Sequence, residues 1–398
     1  MASGIIYLDN NATTRPTPAV RDAMVAAIDE TWHNPSSVHR PGQTARHAME
    51  LARSSVARLV NCRPREVVFT SGGTESLELA IRGALDGVEH PVLVTSSIEH
   101  AAVRDLLETL KCEVRLAPLD EHGVVDAKAT APLLEGATLC CLQWANNETG
   151  TLQPIGAIGR ACKEAGVPLL VDGTQWVGKL PTNFGTGTAK ADDPAHADDE
   201  GSLIDMFAFS AHKLHGPKGV GALVIRRRTR LATVRPGSQE LGRRGGTENV
   251  PGIVGFGVAC EEALAFLADP AERERLASLR DRLESGIVEQ CPSAVVNGPT
   301  SPGARLWNTT SIGFPTLEAE ALLLMLSERG VCASAGAACS SGSLEPSPVL
   351  LAMGIEPAIA HGSIRLSLSR STTEDEIDRA AAIIAEAATV LGGALPTP

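Results

Sequence analysis

The stretch "FSAHKLHGPKG", residues 209–219, sets Lys213 in a run of histidines just ahead of a Gly-Pro turn. A lysine amine can form an imine with an aldehyde once it is held uncharged. Other residues able to do chemistry stand at comparable places. "VVFTSGGTES" runs from an apolar segment through Gly73 and Thr74 into a helical pattern, and a helix N-terminus presents free N–H groups to an anion. "VTSSIEHAAV" puts His100 just past another apolar run, "LQWANNETG" ends in Asn146 and Asn147, and "PLLVDGTQ" ends in Asp172 with Gln175 three residues on. An acid closing an apolar run needs a cation or a protonated ring nitrogen, because an isolated buried carboxylate is costly to ionise.

Cys339 differs from the other eight cysteines. "SAGAACSSGS" surrounds it with small and polar residues, which suits an exposed loop thiol. Cys140 and Cys141 lie in the apolar run "LCCLQW", Cys162 and Cys260 lie on helical patterns, and Cys332 follows apolar Val331; these read as structural. There is no CxxC pair and no zinc-type His/Cys spacing, so neither a disulfide framework nor a metal site is expected. "GTQWVGKL", 173–180, satisfies GxxxxGK but has Leu180 where a phosphate-binding loop needs Ser or Thr for magnesium, which argues against a nucleotide site.

The elements that must position these groups follow from periodicity. "EVVFT", "PVLVTSS", "CEVRLAP", "TLCCLQW", "VPLLVDG", "DMFAFS" and "GALVIR" read as strands, with helical patterns such as "ESLELAIRGAL", "HAAVRDLLETL" and "AIGRACKEAG" between several of them. Such alternation predicts an α/β fold with a mainly parallel sheet covered by helices, whose ligands gather at the carboxyl ends of the strands. From about residue 259 long amphipathic helical spacing and the strand-like "LWNTTSIGF" and "HGSIRLSLS" predict a smaller α+β domain. The aperiodic acidic segment 182–202 reads as a long surface loop.

At 398 residues with 43% hydrophobic residues, the chain can fill about two cores. A net charge of −12 argues against a broad nucleic-acid contact, and the run Arg226–Arg228 reads as a solvated strand end. No run of about 18 apolar residues predicts a membrane span. The N-terminal "MASGIIYLDNNATT" lacks a basic region followed by a long apolar core, so a cytoplasmic chain is expected.

An anion-binding turn, an acid, an amide and an amine on the ends of one sheet meet the needs of pyridoxal 5'-phosphate (PLP). The order of motifs, from "YLDNNATT" through "HNPSSVHRPGQ", "FTSGGTES", "NNETGTLQPI", "VDGTQWVGK" and "RRGGTENVPG" to "CASAGAACSSGS" and "AHGSIRLSLSR", resembles the class V aminotransferase group of fold-type I PLP enzymes. Within it the chain is most similar to the cysteine desulfurases of the NifS and IscS kind. The resemblance implies a large PLP-binding domain at 15–258 built on a seven-stranded sheet, and a small domain, 1–14 and 259–398, carrying the Cys339 loop.

The same resemblance implies roles. Lys213 would bond covalently to PLP, Asp172 would pair with its pyridinium nitrogen, Gln175 would hydrogen-bond its ring oxygen, and His100 would stack on the ring and move protons. Gly73, Thr74, Ser210 and His212 would hold the phosphate, joined by Thr247 from the partner of a homodimer. Arg365, Asn34 and Asn147 would fix the substrate carboxylate, and Cys339 would take sulfur from L-cysteine as a persulfide for an acceptor or iron–sulfur scaffold protein, leaving alanine. A selenocysteine lyase or another class V PLP enzyme is the alternative. A non-catalytic scaffold of the same fold would lack a bound chromophore. The chain departs from the family pattern at His215, where tyrosine is frequent, at Ala337, where serine is usual, and in the length of 182–202.

Overall fold

The computed structural model describes residues 4–185, 200–336 and 345–394. A short strand, β1 (Ile6–Tyr7), leads into two helices, Pro18–Glu30 and Arg40–Leu59. The seven apolar runs then form one sheet from β2 (Val67–Thr70), β3 (Val92–Thr95), β4 (Glu113–Leu116), β5 (Leu139–Gln143), β6 (Leu169–Asp172), β7 (Met206–Ser210) and β8 (Gly221–Ile225), in the order β2-β8-β7-β6-β5-β3-β4. β4, β3, β5, β6 and β7 pair in parallel, and β8 runs antiparallel to both of its neighbours, β7 and β2. The six strands other than β4 are buried at every position, as a sheet covered on both faces requires.

The two faces fill separate cores. Alternate residues of β5, Cys140 and Leu142, join Phe207, Phe209 and Phe256 in one core, whereas Cys141 joins Leu77, Ile81 and Ala208 in the other. Each fully buried Phe or Leu contributes about 1.5–3 kcal/mol. Gly173 is required by this packing, since a Cβ there would stand 2.2 Å from Phe207 Cε2.

The second domain packs helices Pro270–Gln290, Ala319–Glu328 and Glu374–Ala394 against β10 (Thr309–Gly313) and β13 (Ser363–Ser367). These strands form an antiparallel sheet with β9 (Val295–Val296) and β12 (Ser334–Ala335), while β11 (Val331–Cys332) pairs in parallel with β1. Ile6 and Leu8 of the N-terminal segment belong to this second core. The boundary drawn at 258 falls inside the helix Val250–Leu267, whose Ile253, Phe256, Ala259, Cys260 and Ala263 are all buried in the first core. The division therefore lies at the turn around Asp269, which caps the next helix. Val250–Leu267 is long and apolar enough to cross a bilayer by composition alone, with mean hydropathy 1.6, yet half of that length is buried inside the fold.

Arg226 departs from its expected place in a solvated run. It is 5% exposed, stacks on Phe184 at 3.7 Å, and its guanidinium donates to the carbonyls of Phe184, Gly185, Gly201 and Ile204. Those carbonyls flank residues 186–199, which lie outside the described residues, so one arginine ties the two ends of the long acidic segment to the end of β8. Arg227 and Arg228 are more open, and Arg228 is solvated beside Asp205.

Candidate active site

A cavity of about 390 Å³ opens at the carboxyl ends of β5, β6 and β7. Its walls include Gly73, Thr74, His100, Asn147, Asp172, Gln175, Ser210, His212, Lys213 and Arg365, so ten of the thirteen predicted site residues meet there. The pairing of Gln143 with Asp172 and of Asp172 with Ala208 fixes these strand ends side by side.

The helix Gly73–Leu85 begins at Gly73, with Gly72 as N-cap, so Thr74 sits inside the first turn instead of capping it. Glu75 reaches back to accept from the Ser71 N–H at 2.6 Å and is itself gripped by Arg235 and Arg244. Burial alone would raise Glu75, but the bonds from Arg244 and Ser71 overcome it and hold the carboxyl at about 2. A Cβ on Gly73 would stand 2.8 Å from Thr174 Oγ1 and 3.8 Å from Ser210 Cβ, so glycine keeps the space between the helix start and the strand ends open.

Asp172 is 6% exposed, accepts from the Thr174 N–H at 2.8 Å, and forms no ion pair among the described residues. A buried carboxylate lining a cavity without a cation of its own is suited to a cation brought by a ligand. Across from it, His100 caps the helix Ala101–Glu108 by accepting the Ala102 N–H at Nδ1, 3.0 Å away. In the neutral ring the proton therefore sits on Nε2. Burial lowers the His100 pKa, with Asp172 opposing and Lys213 and Arg104 reinforcing.

Lys213 ends a short turn that continues β7, and its Nζ donates to the main-chain oxygens of Asn11 and Ala12 at 2.6 and 2.7 Å. His212 lies beside it, bonded through Nδ1 to Thr13 Oγ1 at 3.1 Å, and burial together with Lys213 pushes it down to about 4. At neutral pH this wall therefore offers an uncharged imidazole.

Arg365 is 2% exposed. Nη2 donates to Asp9 at 2.8 Å and Nη1 to the Asn147 carbonyl at 3.1 Å, while Nε has no hydrogen-bond partner among the described residues. Asn147 Oδ1 is likewise buried and without one. Two orphaned polar groups on a cavity wall mark a place for a polar ligand, and a guanidinium edge matches a carboxylate. Of the two neighbouring asparagines, Asn146 is occupied with its own chain: Oδ1 accepts from Glu148 and Thr149 N–H, and Nδ2 donates to Ile98.

Two predicted residues among the described ones are not on these walls. Asn34 is exposed, and its Oδ1 accepts the Ser36 N–H in the turn before the helix Arg40–Leu59, so it does not face the cavity of its own chain. Thr247 is also exposed, away from that cavity. Cys339 lies outside the described residues.

The structure adds residues that the motifs did not single out. Asn11 is a hub whose main-chain oxygen accepts from Lys213 and Gln175, whose Oδ1 accepts from Lys179 and Asn308, and whose Nδ2 donates to Thr309. The run Asp9-Asn10-Asn11 straight after the apolar "IIYL" was the available signal. Glu99 is fully enclosed, bonded by Ser96 Oγ at 2.5 Å and the Gln143 N–H at 2.8 Å, and burial pushes it up to about 8 despite the Ser96 bond, with Asp172 adding to the rise. Glu148 and Arg104 also line the cavity.

These residues fit PLP: a glycine-opened turn for a phosphate, an unpaired carboxylate for a ring nitrogen, an amine within the same cavity, and a guanidinium edge for a carboxylate. Comparisons with known proteins agree. Residues 6–380 match the family model "Aminotransferase class-V". The chain is 45% identical to the cysteine desulfurase of Nostoc sp. strain PCC 7120 over 96% of this chain and 92% of that one. It is 44% identical to the cysteine desulfurase NifS of Azotobacter vinelandii, over 94% of this chain and 90% of that one. A solved structure titled as a NifS-like protein superposes with TM-score 0.85 at 33% identity, covering 97% of this chain and all of the other.

Proposed function

Because the chain belongs to the class V aminotransferase family, we propose that it is a PLP-dependent cysteine desulfurase, which converts L-cysteine to L-alanine and keeps the sulfur on Cys339 as a persulfide. The balance is one cysteine and one enzyme thiol giving one alanine and one Cys339 persulfide, with no outside oxidant. The observation that carries this reading is Asp172, buried in the cavity with no cation of its own, among residues that match the cysteine desulfurases over nearly the whole chain.

Bound there, PLP supplies an electron sink for charge developing at the substrate Cα. The chain's own groups do the rest. Asp172 presents its carboxylate to the ring nitrogen, and Gln175 presents an amide to the ring oxygen. Gly73, Thr74, Ser210 and His212 would hold the phosphate, His212 with an uncharged ring. Arg365 would pair with the substrate carboxylate, with Asn147 beside it. Lys213 Nζ, steered by the Asn11 and Ala12 carbonyls, carries the Cα proton, and His100 holds a proton at Nε2 on the opposite wall.

A homodimer in which Thr247 joins the partner's phosphate site belongs to the same proposal, supported by its exposure outside its own cavity. A sulfur-acceptor protein serving iron–sulfur assembly completes the proposed reaction by removing the persulfide sulfur.

The test is the visible spectrum of the purified protein followed by L-cysteine addition, with alanine and sulfide measured. A cofactor band that responds to cysteine, with alanine and sulfur formed in equal amounts, is expected. Cys339→Ala should keep the band and its response yet release no sulfide. Undiminished sulfide from that variant removes Cys339 from the reaction, and a chain that takes up no PLP overturns the whole reading.

A further inference from the structure

Lys179 is the lysine of the GxxxxGK stretch that binds no nucleotide, and it is 5% exposed with no ion pair among the described residues. Its Nζ donates to Gln175 Oε1 and, at 3.1 Å, to Asn11 Oδ1. Those two bonds use both hydrogens of an uncharged amine. Burial favours that state, as do Lys213, Arg365 and Arg370 nearby. On its other side the Gln175 amide donates from Nε2 to the Asn11 carbonyl at 3.0 Å.

A main-chain carbonyl can only accept, and Nζ here donates. Turned over, the Gln175 amide would set oxygen against oxygen at Asn11, so that carbonyl selects the orientation, and the hydrogen bond from Lys179 Nζ to Oε1 holds the amide in it. An amide NH2 carries two hydrogens. One goes to Asn11, and the other meets no acceptor among the described residues, on a side chain that lines the cavity.

We propose that Lys179 is a positioning residue: it locks Gln175 with an N–H, not a C=O, turned to the cavity, so that this wall selects a ligand oxygen carrying negative charge. The inference rests on the PLP reading, in which that oxygen is the ionised ring hydroxyl. It assigns a task to a buried amine that otherwise has none, since Lys213 already supplies the reactive one.

The test uses the PLP-loaded full chain with Lys179→Met, Gln175→Met and the double variant. Each single substitution should lower kcat about tenfold, as expected for one buried hydrogen bond, with KM for cysteine nearly unchanged. Each should also move the cofactor's visible band in the same direction, and the double variant should match the singles, because the lysine acts only through the amide. A Lys179→Met enzyme with the wild-type band, or losses that multiply to about a hundredfold, overturns the proposal. Where Lys179→Met does not fold, Lys179→Gln retains an NH2 donor and should keep the wild-type band; the band of Gln175→Met in that variant overturns it equally. A wild-type chain with no cofactor band sinks the PLP reading itself, and this inference with it.

Discussion

Ser347 Oγ donates a 2.6 Å hydrogen bond to Glu148 Oε2 across 199 residues of sequence. Both partners are buried, and Glu148 lines the cavity next to Asn147. The same oxygen lies where a Cβ on Gly336 would come within 2.2 Å, so one carboxylate accepts from Ser347 and packs against Gly336, residues on either side of the segment that contains Cys339. Ser347 also caps the helix Pro348–Ala352, whose Val349 lines the cavity and packs with Ile98, two residues before His100.

Gly336→Ala should therefore displace Glu148 and lower the yield of sulfide per cofactor at least about tenfold, with cofactor binding retained. Ser347→Ala leaves a buried acceptor and a helix start unpartnered, and should cost about 1–3 kcal/mol in a denaturant titration. Wild-type sulfide release from Gly336→Ala would show that the carboxylate holds nothing of consequence.

Asp172→Asn keeps the size of the side chain and removes its charge. If the buried carboxylate is there for a ring cation, the variant should fold normally, release PLP faster and lose about 10²-fold or more in kcat, the scale of removing one aimed electrostatic partner. Dialysis followed by absorbance reads the first effect directly. Unchanged cofactor retention and turnover would leave Asp172 without the role assigned to it.

Glu99 provides a pH-dependent stability term of known sign. Its folded pKa of about 8 lies above the ordinary carboxyl value, so the folded chain binds more protons than the unfolded one between those limits, and this contribution falls as pH rises. Glu99→Gln preserves the Ser96 and Gln143 contacts without a titrating proton. The Tm of the variant relative to wild type should climb steadily between about pH 5 and 8. A constant difference across that range would mean that Glu99 ionises normally.

His215 works in the opposite direction. The Arg15 carbonyl accepts from its Nδ1 at 3.0 Å, and burial with Arg370 close by depresses it to about 4. The unfolded chain then binds more protons between the ordinary histidine value and pH 4, so this stability is full above about pH 6.5 and is lost as pH falls toward 4. Its φ of +68° suits asparagine among non-glycine residues. His215→Asn should shrink the drop in urea midpoint between about pH 7 and 4.5 relative to wild type. An equal drop in both proteins would assign the acid sensitivity to other groups.

Much of the fold was legible because its signals are local. Seven apolar runs with helical patterns between several of them specify a covered parallel sheet, and that architecture puts ligands at strand ends, where Asp172, His100 and Lys213 indeed converge. The domain boundary was less legible. Residues 259–290 read as one amphipathic stretch, although they divide between the helices Val250–Leu267 and Pro270–Gln290, and which core a helix joins depends on the surface that meets it. Arg226 misled for the same reason: an arginine at a strand end is ordinarily solvated unless several carbonyls happen to converge on it.

By itself the sequence determined which chemical groups this protein possesses, and by the order of its motifs the family to which it belongs. Periodicity and residue type are properties of neighbours along the chain, so they survive being read in one dimension. Only the tertiary structure decided that Asn11 would become the acceptor for Lys213, that Lys179 would turn Gln175, and that Glu148 would accept from Ser347. Those are pairings of buried donors and acceptors across long chain separations. Each forms because a polar group shut away from water must find its partner among whatever the packed elements bring near.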